Sequence, residues 1–251
     1  MSFKVSFPLR GRLGNMLFQV AALETYCRKH GFEPVYVHSE HSVHYEQNIF
    51  SSIKFSLNYP PNHRIGKHDS FEYIELPKVH CNSVITGNSY FQSEKYFCPK
   101  VVKELFSIKD DLRQKIVSLY PHITHSVSLH VRRGDYLNFK DIHPTCSLEY
   151  YHTAMALFPE KNFIVFSDDI EWCKHNLHGN NITYLENNLK DYEELYAMSL
   201  CSDNIIANSS FSWWGAYLNE NLSKRVVYPK QWFGIKGPND KDVAPQTWIK
   251  K

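Results

Sequence analysis

In SLHVRRGDYL, residues 128–137, two adjacent arginines and a nearby aspartate, Arg132, Arg133 and Asp135, follow a run that alternates apolar and polar residues. A guanidinium is a planar fork of N–H donors that meets phosphate oxygens two at a time. Two further groups stand in equivalent places. Asp168 and Asp169 follow FIVFS, and Ser209, Ser210 and Ser212 follow NIIAN where a helical pattern begins. Serines entering a helix offer hydroxyls and free backbone N–H groups to an anion, and a strand-end carboxylate can accept from a ribose hydroxyl or from the N–H edge of a purine. These residue types point to a phosphate-bearing, nucleotide-like ligand.

Each group also has a plainer reading. The arginines and Asp135 could be a surface ion-pair cluster, Ser209 could only cap its helix, and Asp168 and Asp169 could do the same for the helix after them. Of Trp213 and Trp214, one is expected in the core. The RGD at 133–135 spells an adhesion tripeptide, which carries little weight without an export signal.

The elements that must carry these residues are legible from residue 126 onward. VSLHV, NFIVFS, ITYL, NIIAN and RVVYP read as strands, separated by helical stretches SLEYYHTAMALF, IEWCKHNL, DYEELYAMSLC and SFSWWGAYLNE. Alternation at this spacing implies a doubly wound parallel sheet, whose ligands sit at the carboxyl ends of the strands. Upstream, KVSFPLR reads as a strand and GRLGN as a turn. A helix follows, with Met16, Val20, Leu23 and Cys27 on helical spacing and Gly31 as its C-cap. Gly11 and Gly14 are spaced G-x-x-G, which is neither the dinucleotide fingerprint nor a P-loop; a glycine loop there still brings backbone N–H groups close to a ligand. EPVYVH reads as the next strand, and residues 38–80, rich in His, Ser, Asn and Pro, as loop.

Composition narrows the class. A chain of 251 residues with 43% hydrophobic content can bury a real core, and a formal net charge of +2 with no long basic run argues against nucleic acid as a partner. Six cysteines without a C-x-x-C pair read as reduced thiols, and fourteen histidines without metal-ligand spacing predict no structural metal. No run of 18 apolar residues and no signal-like N-terminus is present, so a cytoplasmic location is expected, compatible with peripheral membrane association. The sequons at Asn181, Asn208 and Asn221 read as chance. Oligomeric state is not encoded in any recognisable pattern.

Taken in order, GRLGNMLFQ, YFQSEKYF, SLHVRRGDY, FSDD, NSSFSWWGAYLN and YPKQWF resemble the motifs of the α-1,2-fucosyltransferases of glycosyltransferase family 11, from residue 11 to about 233. The resemblance implies a GT-B fold, two Rossmann-like halves facing a cleft, divided here as 1–124 on the acceptor side and 125–251 on the donor side. It implies an inverting transfer of L-fucose from GDP-fucose to the 2-hydroxyl of a galactose-terminated glycan, with no cofactor. By similarity, Arg132 would hold the β-phosphate, with Arg133 beside it. His130 and one of Asp168 or Asp169 would hold the guanosine, and Ser209, Ser210 and Phe211 the diphosphate and fucose edge. Asn15 would reach in from the other half. An arginine fork and a helix N-terminus can stabilise the leaving diphosphate without a metal. Asp135 is the candidate general base, with Asp141 and His143 as rivals. Two other classes are weighed against this one: a silent glycan-binding module, and a phosphatase-like hydrolase acting on simple esters.

Overall fold

The computed structural model describes residues 2–87, 90–186 and 189–251. The chain forms two compact units, Met1–Ser107 with Asn239–Pro245, and Ile108–Pro238 with Gln246–Lys251.

The first unit contains β1 (Lys4–Ser6), α1 (Leu13–His30), β2 (Glu33–Pro34), β3 (Tyr36–Val37), β4 (Phe55–Ser56), β5 (Arg64–Lys67), β6 (Ser83–Thr86) and α2 (Pro99–Phe106). Its main sheet runs β2-β1-β6-β5 with every pairing parallel, and β3 pairs with β4 separately. EPVYVH is therefore split between two sheets rather than forming one strand. Pro34 has no N–H for a second neighbour, which confines β2 to the sheet edge, and the chain leaves that edge at once. The stretch 38–80 is mostly irregular but contributes β4 and β5. α1 starts three residues before the helix read from sequence, so Gly14 and Asn15 lie in its first turn. Gly11 makes this early start feasible: at φ 75° it turns the chain into an extended Arg12, which serves as N-cap without a side-chain bond. Gly31, at φ 70°, closes the helix by donating its N–H to Cys27 O, as expected from sequence. The returning segment 239–245 is tied in by Asp242, whose carboxylate accepts from Tyr73 N at 2.8 Å and pairs with Lys95.

The second unit holds α3 (Asp110–Leu119), β7 (Val127–Val131), α4 (Leu148–Met155), β8 (Phe163–Ser167), α5 (Ile170–Asn176), β9 (Ile182–Tyr184), α6 (Asp191–Leu200), β10 (Asp203–Ile205), α7 (Ser210–Tyr217), β11 (Val226–Tyr228) and β12 (Ile249–Lys250). Its six strands run β12-β11-β10-β7-β8-β9, all parallel. The order reverses between β7 and β10, and a doubly wound sheet opens its ligand crevice at such a reversal.

Alternation along β7 explains its fully buried sequence. Val127, Leu129 and Val131 join Tyr150, Tyr151 and Ala154 of α4 and Cys173 of α5 in one apolar cluster. Ser128 and His130 face the other layer, where Asn204 donates to Ser128 Oγ at 2.7 Å and to Met198 O at 2.8 Å. Burying these amides without partners would cost about 1–3 kcal/mol each, so the network fixes strand register on the face where packing alone would be less selective. Trp213 and Trp214 are both fully buried, where the sequence reading placed only one in the core. Trp213 stacks on Tyr217 and Trp214 meets the same ring edge-on, which anchors α7.

All six cysteines are free thiols. Among the described residues no helix is long and apolar enough to cross a membrane.

Candidate active site

Three strand ends of the second unit present the predicted residues on one edge of the sheet: Arg132 to Asp135 after β7, Asp168 and Asp169 after β8, and Ser209 to Phe211 entering α7 after β10. The first and third groups flank the reversal between β7 and β10. The structure thus brings together the candidates that sequence reading had placed on separate segments of this unit.

Arg132 is held between two carboxylates. Its Nη2 donates to Asp135 Oδ1 at 2.6 Å and its Nη1 lies 3.1 Å from Asp168 Oδ2. Asp168 also accepts from the backbone N–H of Arg133 at 2.9 Å. A Cβ at Gly134 would push the Asp168 carboxylate out of its place beside Arg132. Arg133 points elsewhere: its Nε donates to Asp169 Oδ2 at 3.0 Å, and its guanidinium lies 4.1 Å from the ring centroid of Trp172. Asp169 meanwhile caps α5, accepting from Trp172 N at 3.1 Å. The two adjacent arginines therefore have different surroundings. Arg132 sits just past β7 between the Asp135 and Asp168 carboxylates, and Arg133 braces the start of α5.

His130 is 4% exposed, and its Nδ1 is buried without a hydrogen-bond partner among the described residues. Burial, reinforced by the charge of Arg132, pushes its pKa down to about 3, so the imidazole is neutral at neutral pH. A neutral ring with an unsatisfied nitrogen at a strand end is a group that gains from a polar ligand. Its ring centroid lies 5.8 Å from that of Phe211. Ser209 is the N-cap of α7, its Oγ accepting from Phe211 N at 3.3 Å. The capping reading of Ser209 is thus realised, and it leaves the first-turn N–H groups of α7 at the same sheet edge as Arg132.

Of the rival bases, Asp141 is exposed and paired with Lys236 at 2.6 Å. His143 stacks on Tyr136 with centroids 4.9 Å apart, and half-burial lowers its pKa. Asp135 keeps a side chain 41% exposed while bonded to Arg132. Among the described residues no cluster of three or more His, Cys, Asp or Glu side chains is arranged to hold a metal ion.

Asn15 belongs to the first unit. Its Oδ1 accepts from Gln92 Nε2 at 2.8 Å, and a Cβ at Gly11 would come within 2.7 Å of its Nδ2, so a side chain at 11 would displace it. Gln19 ties the loop shut with three bonds of 2.8–2.9 Å to Arg10 and Asn15 backbone atoms. Gln92 follows two non-glycine residues in the left-handed region, Tyr90 at φ 51° and Phe91 at φ 57°. Such conformations cost on the order of 1–3 kcal/mol each and persist where packing over-determines them; here Phe91 is sandwiched between Phe7 and His68. Sequence reading quoted YFQSEKYF without assigning Gln92 a role, and nothing in its residue types signals the left-handed pair. It also passed over Asn208, which it took for a chance sequon although it lies on the short link between β10 and α7.

A family model described as glycosyl transferase family 11 matches residues 8–248. An alpha-1,2-colitosyltransferase of Escherichia coli is 35% identical over 176 residues, covering 64% of this chain and 60% of that protein. A galactoside 2-alpha-L-fucosyltransferase of Caenorhabditis elegans is 25% identical over 195 residues, covering 66% of this chain and 52% of that protein. The chain therefore spans little more than half the length of these relatives. Among solved structures, the fucosyltransferase NodZ from Bradyrhizobium, also solved as an alpha-1,6-fucosyltransferase soaked with GDP-fucose, superposes with a TM-score of 0.54 at 14% identity, covering 86% of this chain and 93% of that one. That likeness is one of fold, the GT-B class with a parallel α/β sheet in each half. With the arginine loop, the strand-end aspartates and the capped serine helix all inside the matched region, the chain belongs to glycosyl transferase family 11.

Proposed function

We propose that this chain is an inverting α-1,2-fucosyltransferase, moving L-fucose from GDP-fucose to the 2-hydroxyl of a terminal galactoside. The observation that carries the reading is the placement of Arg132 and the start of α7 on either side of the strand-order reversal. As the fucosyl C1–O bond breaks, negative charge accumulates on the departing diphosphate and positive charge on the sugar ring. A fixed guanidinium and the N-terminus of a helix stabilise the former without reorganising at the moment of reaction.

In this scheme Arg132 grips the β-phosphate, with Arg133 bracing the loop. Ser209, Ser210 and Phe211 line the diphosphate and fucose edge. His130, neutral and short of a partner, and one of Asp168 or Asp169 meet the guanosine. Asp135 accepts the proton of the acceptor hydroxyl as it attacks the face opposite the leaving group. In this reading the first unit serves the acceptor and the second the donor. The Arg132 fork and the start of α7, oriented toward the leaving group, take in this reading the place of a divalent metal or cofactor. Six unpaired thiols accord with a cytoplasmic setting.

The colitosyltransferase relative favours one second reading. Colitose is fucose without its 3-hydroxyl, so the two donor sugars differ by one group. Incubation of the protein with GDP-fucose and with its 3-deoxy analogue, against a panel of glycans, tests both, with the product linkage read by NMR. An α-1,2-linked fucosyl galactoside is the expected product. Preference for the deoxy sugar would reassign the donor, and glycan binding without turnover of either would leave a lectin-like module.

A further inference from the structure

Asn208 lies on the link from β10 to α7, beside the strand-order reversal, is 2% exposed, and has its side-chain amide and its backbone carbonyl engaged. Its Nδ2 donates to Pro144 O at 2.8 Å and to Trp232 O at 2.9 Å, and its Oδ1 accepts from Cys146 Sγ at 3.5 Å. Its backbone carbonyl accepts from the Tyr136 hydroxyl at 3.1 Å. The Tyr136 ring in turn lies 5.3 Å from the Arg132 guanidinium carbon and stacks on His143. One buried residue thus joins the loop that carries the arginines, the segment around Trp232, and the residues that open α7. Two carbonyl acceptors fix which end of the amide is nitrogen, and a buried amide with both donors engaged cannot turn without losing them.

We propose that Asn208 and Tyr136 act as a positioning pair that sets the Arg132 guanidinium in register with the N-terminus of α7. The inference rests on the reading above, in which those two groups share one diphosphate. Each is useful only at its correct distance from the other, because a misplacement of about 1 Å can cost on the order of 100-fold in rate. Tyr136 transmits the position of the Asn208 backbone to the ring beneath Arg132, and the Asn208 side chain holds the far end of the same loop at Pro144 and Cys146. The same geometry disposes of the sequon, since a glycan-acceptor amide has to reach solvent.

Two substitutions and two readouts test the pair. Tyr136→Phe removes the hydroxyl and keeps the ring. Asn208→Asp keeps the shape and sets carboxylate oxygens against two carbonyls. Hydrogen exchange without ligand should rise in both variants over residues 132–147 and 207–213 together, and Glu171→Gln, on the surface of α5, should leave those segments at the parental level. In steady-state assays with GDP-fucose, Tyr136→Phe should melt near the parent yet lose kcat on the order of 10-fold, with KM for GDP-fucose changed much less; Asn208→Asp should lose on the order of 100-fold. Exchange that rises only beside the substituted residue, or parental kcat in Tyr136→Phe, would overturn the proposal. A parent that does not turn over GDP-fucose would sink the proposed function instead, and the exchange experiment would still decide the coupling by itself.

Discussion

Arg132 Nη1 and Asp168 Oδ2 meet at 3.1 Å, and with Asp135 on Nη2 the guanidinium plane is fixed on two sides. Two of its five N–H groups are spent on this. Counting Arg133 and Asp169, two arginines face three carboxylates, which leaves the cluster with one excess negative charge. The arrangement therefore trades electropositive attraction for orientation. On the proposed reading, an arriving diphosphate would meet a fork already aimed, and a carboxylate released by it would be free to take the N–H edge of a base.

Replacing Arg132 by alanine should lower kcat/KM on the order of 100-fold or more, since a preorganised donor toward developing charge is typically worth that much. Lysine should restore only part, because an ammonium keeps the charge without the planar two-point contact. Steady-state kinetics on both variants check this; near-parental turnover in the alanine variant would remove Arg132 from the mechanism.

Arg133→Ala should separate from it. This side chain, 18% exposed, packs on Trp172 and pairs with the α5 cap, so its loss should cost about 1–2 kcal/mol of stability and reduce turnover less than the Arg132 change does. Thermal melts beside the same assays would show it. A larger kinetic than thermal effect would move Arg133 into direct contact with substrate.

His130 makes a prediction about acid. Its folded pKa of about 3 lies below the ordinary 6.5, through desolvation first and Arg132 second. Between those values the unfolded chain binds one more proton, so stability falls as pH drops through the window, by about 1.4 kcal/mol per pH unit for that one group. Above pH 7 the contribution is flat. Melting curves of the parent and His130→Asn should run parallel above pH 7, and below pH 6 the variant should lose stability less steeply. Parallel curves down to pH 4 would mean that His130 ionises alike in both states.

Turnover should persist in excess EDTA, and GDP should raise the melting temperature more than ADP or UDP at equal concentration. Activity that needs magnesium or manganese to return would assign the leaving group's neutralisation to a metal, and equal shifts for the three nucleotides would argue against a guanosine site.

The second unit was legible because its central strands are buried on both faces and its helices recur at a fixed interval, a pattern local enough to read residue by residue. Arg132, Asp168 and Ser209 could be collected as strand-end residues without knowing their partners. What escaped depends on contacts across long stretches of chain. Short edge strands such as β12 have no period to detect, and the β2–β3 break follows from a neighbour that Pro34 cannot serve. Asn208 looked like a chance sequon because its role lies in two carbonyls and a tyrosine hydroxyl contributed by other segments. The left-handed pair at Tyr90 and Phe91 is enforced by Phe7 and His68 rather than by any preference of its own.

The return of residues 239–245 to the first unit has a practical side. A simple cut near residue 108 would not yield either half intact. The downstream fragment would carry a seven-residue loop stripped of the surface it fits, and the upstream fragment would lose the carboxylate beneath Tyr73 N–H and Lys95. Splicing residue 238 to 246 through a short flexible bridge would instead keep β12 with the rest of the second unit, which could then be tested for nucleotide binding by itself.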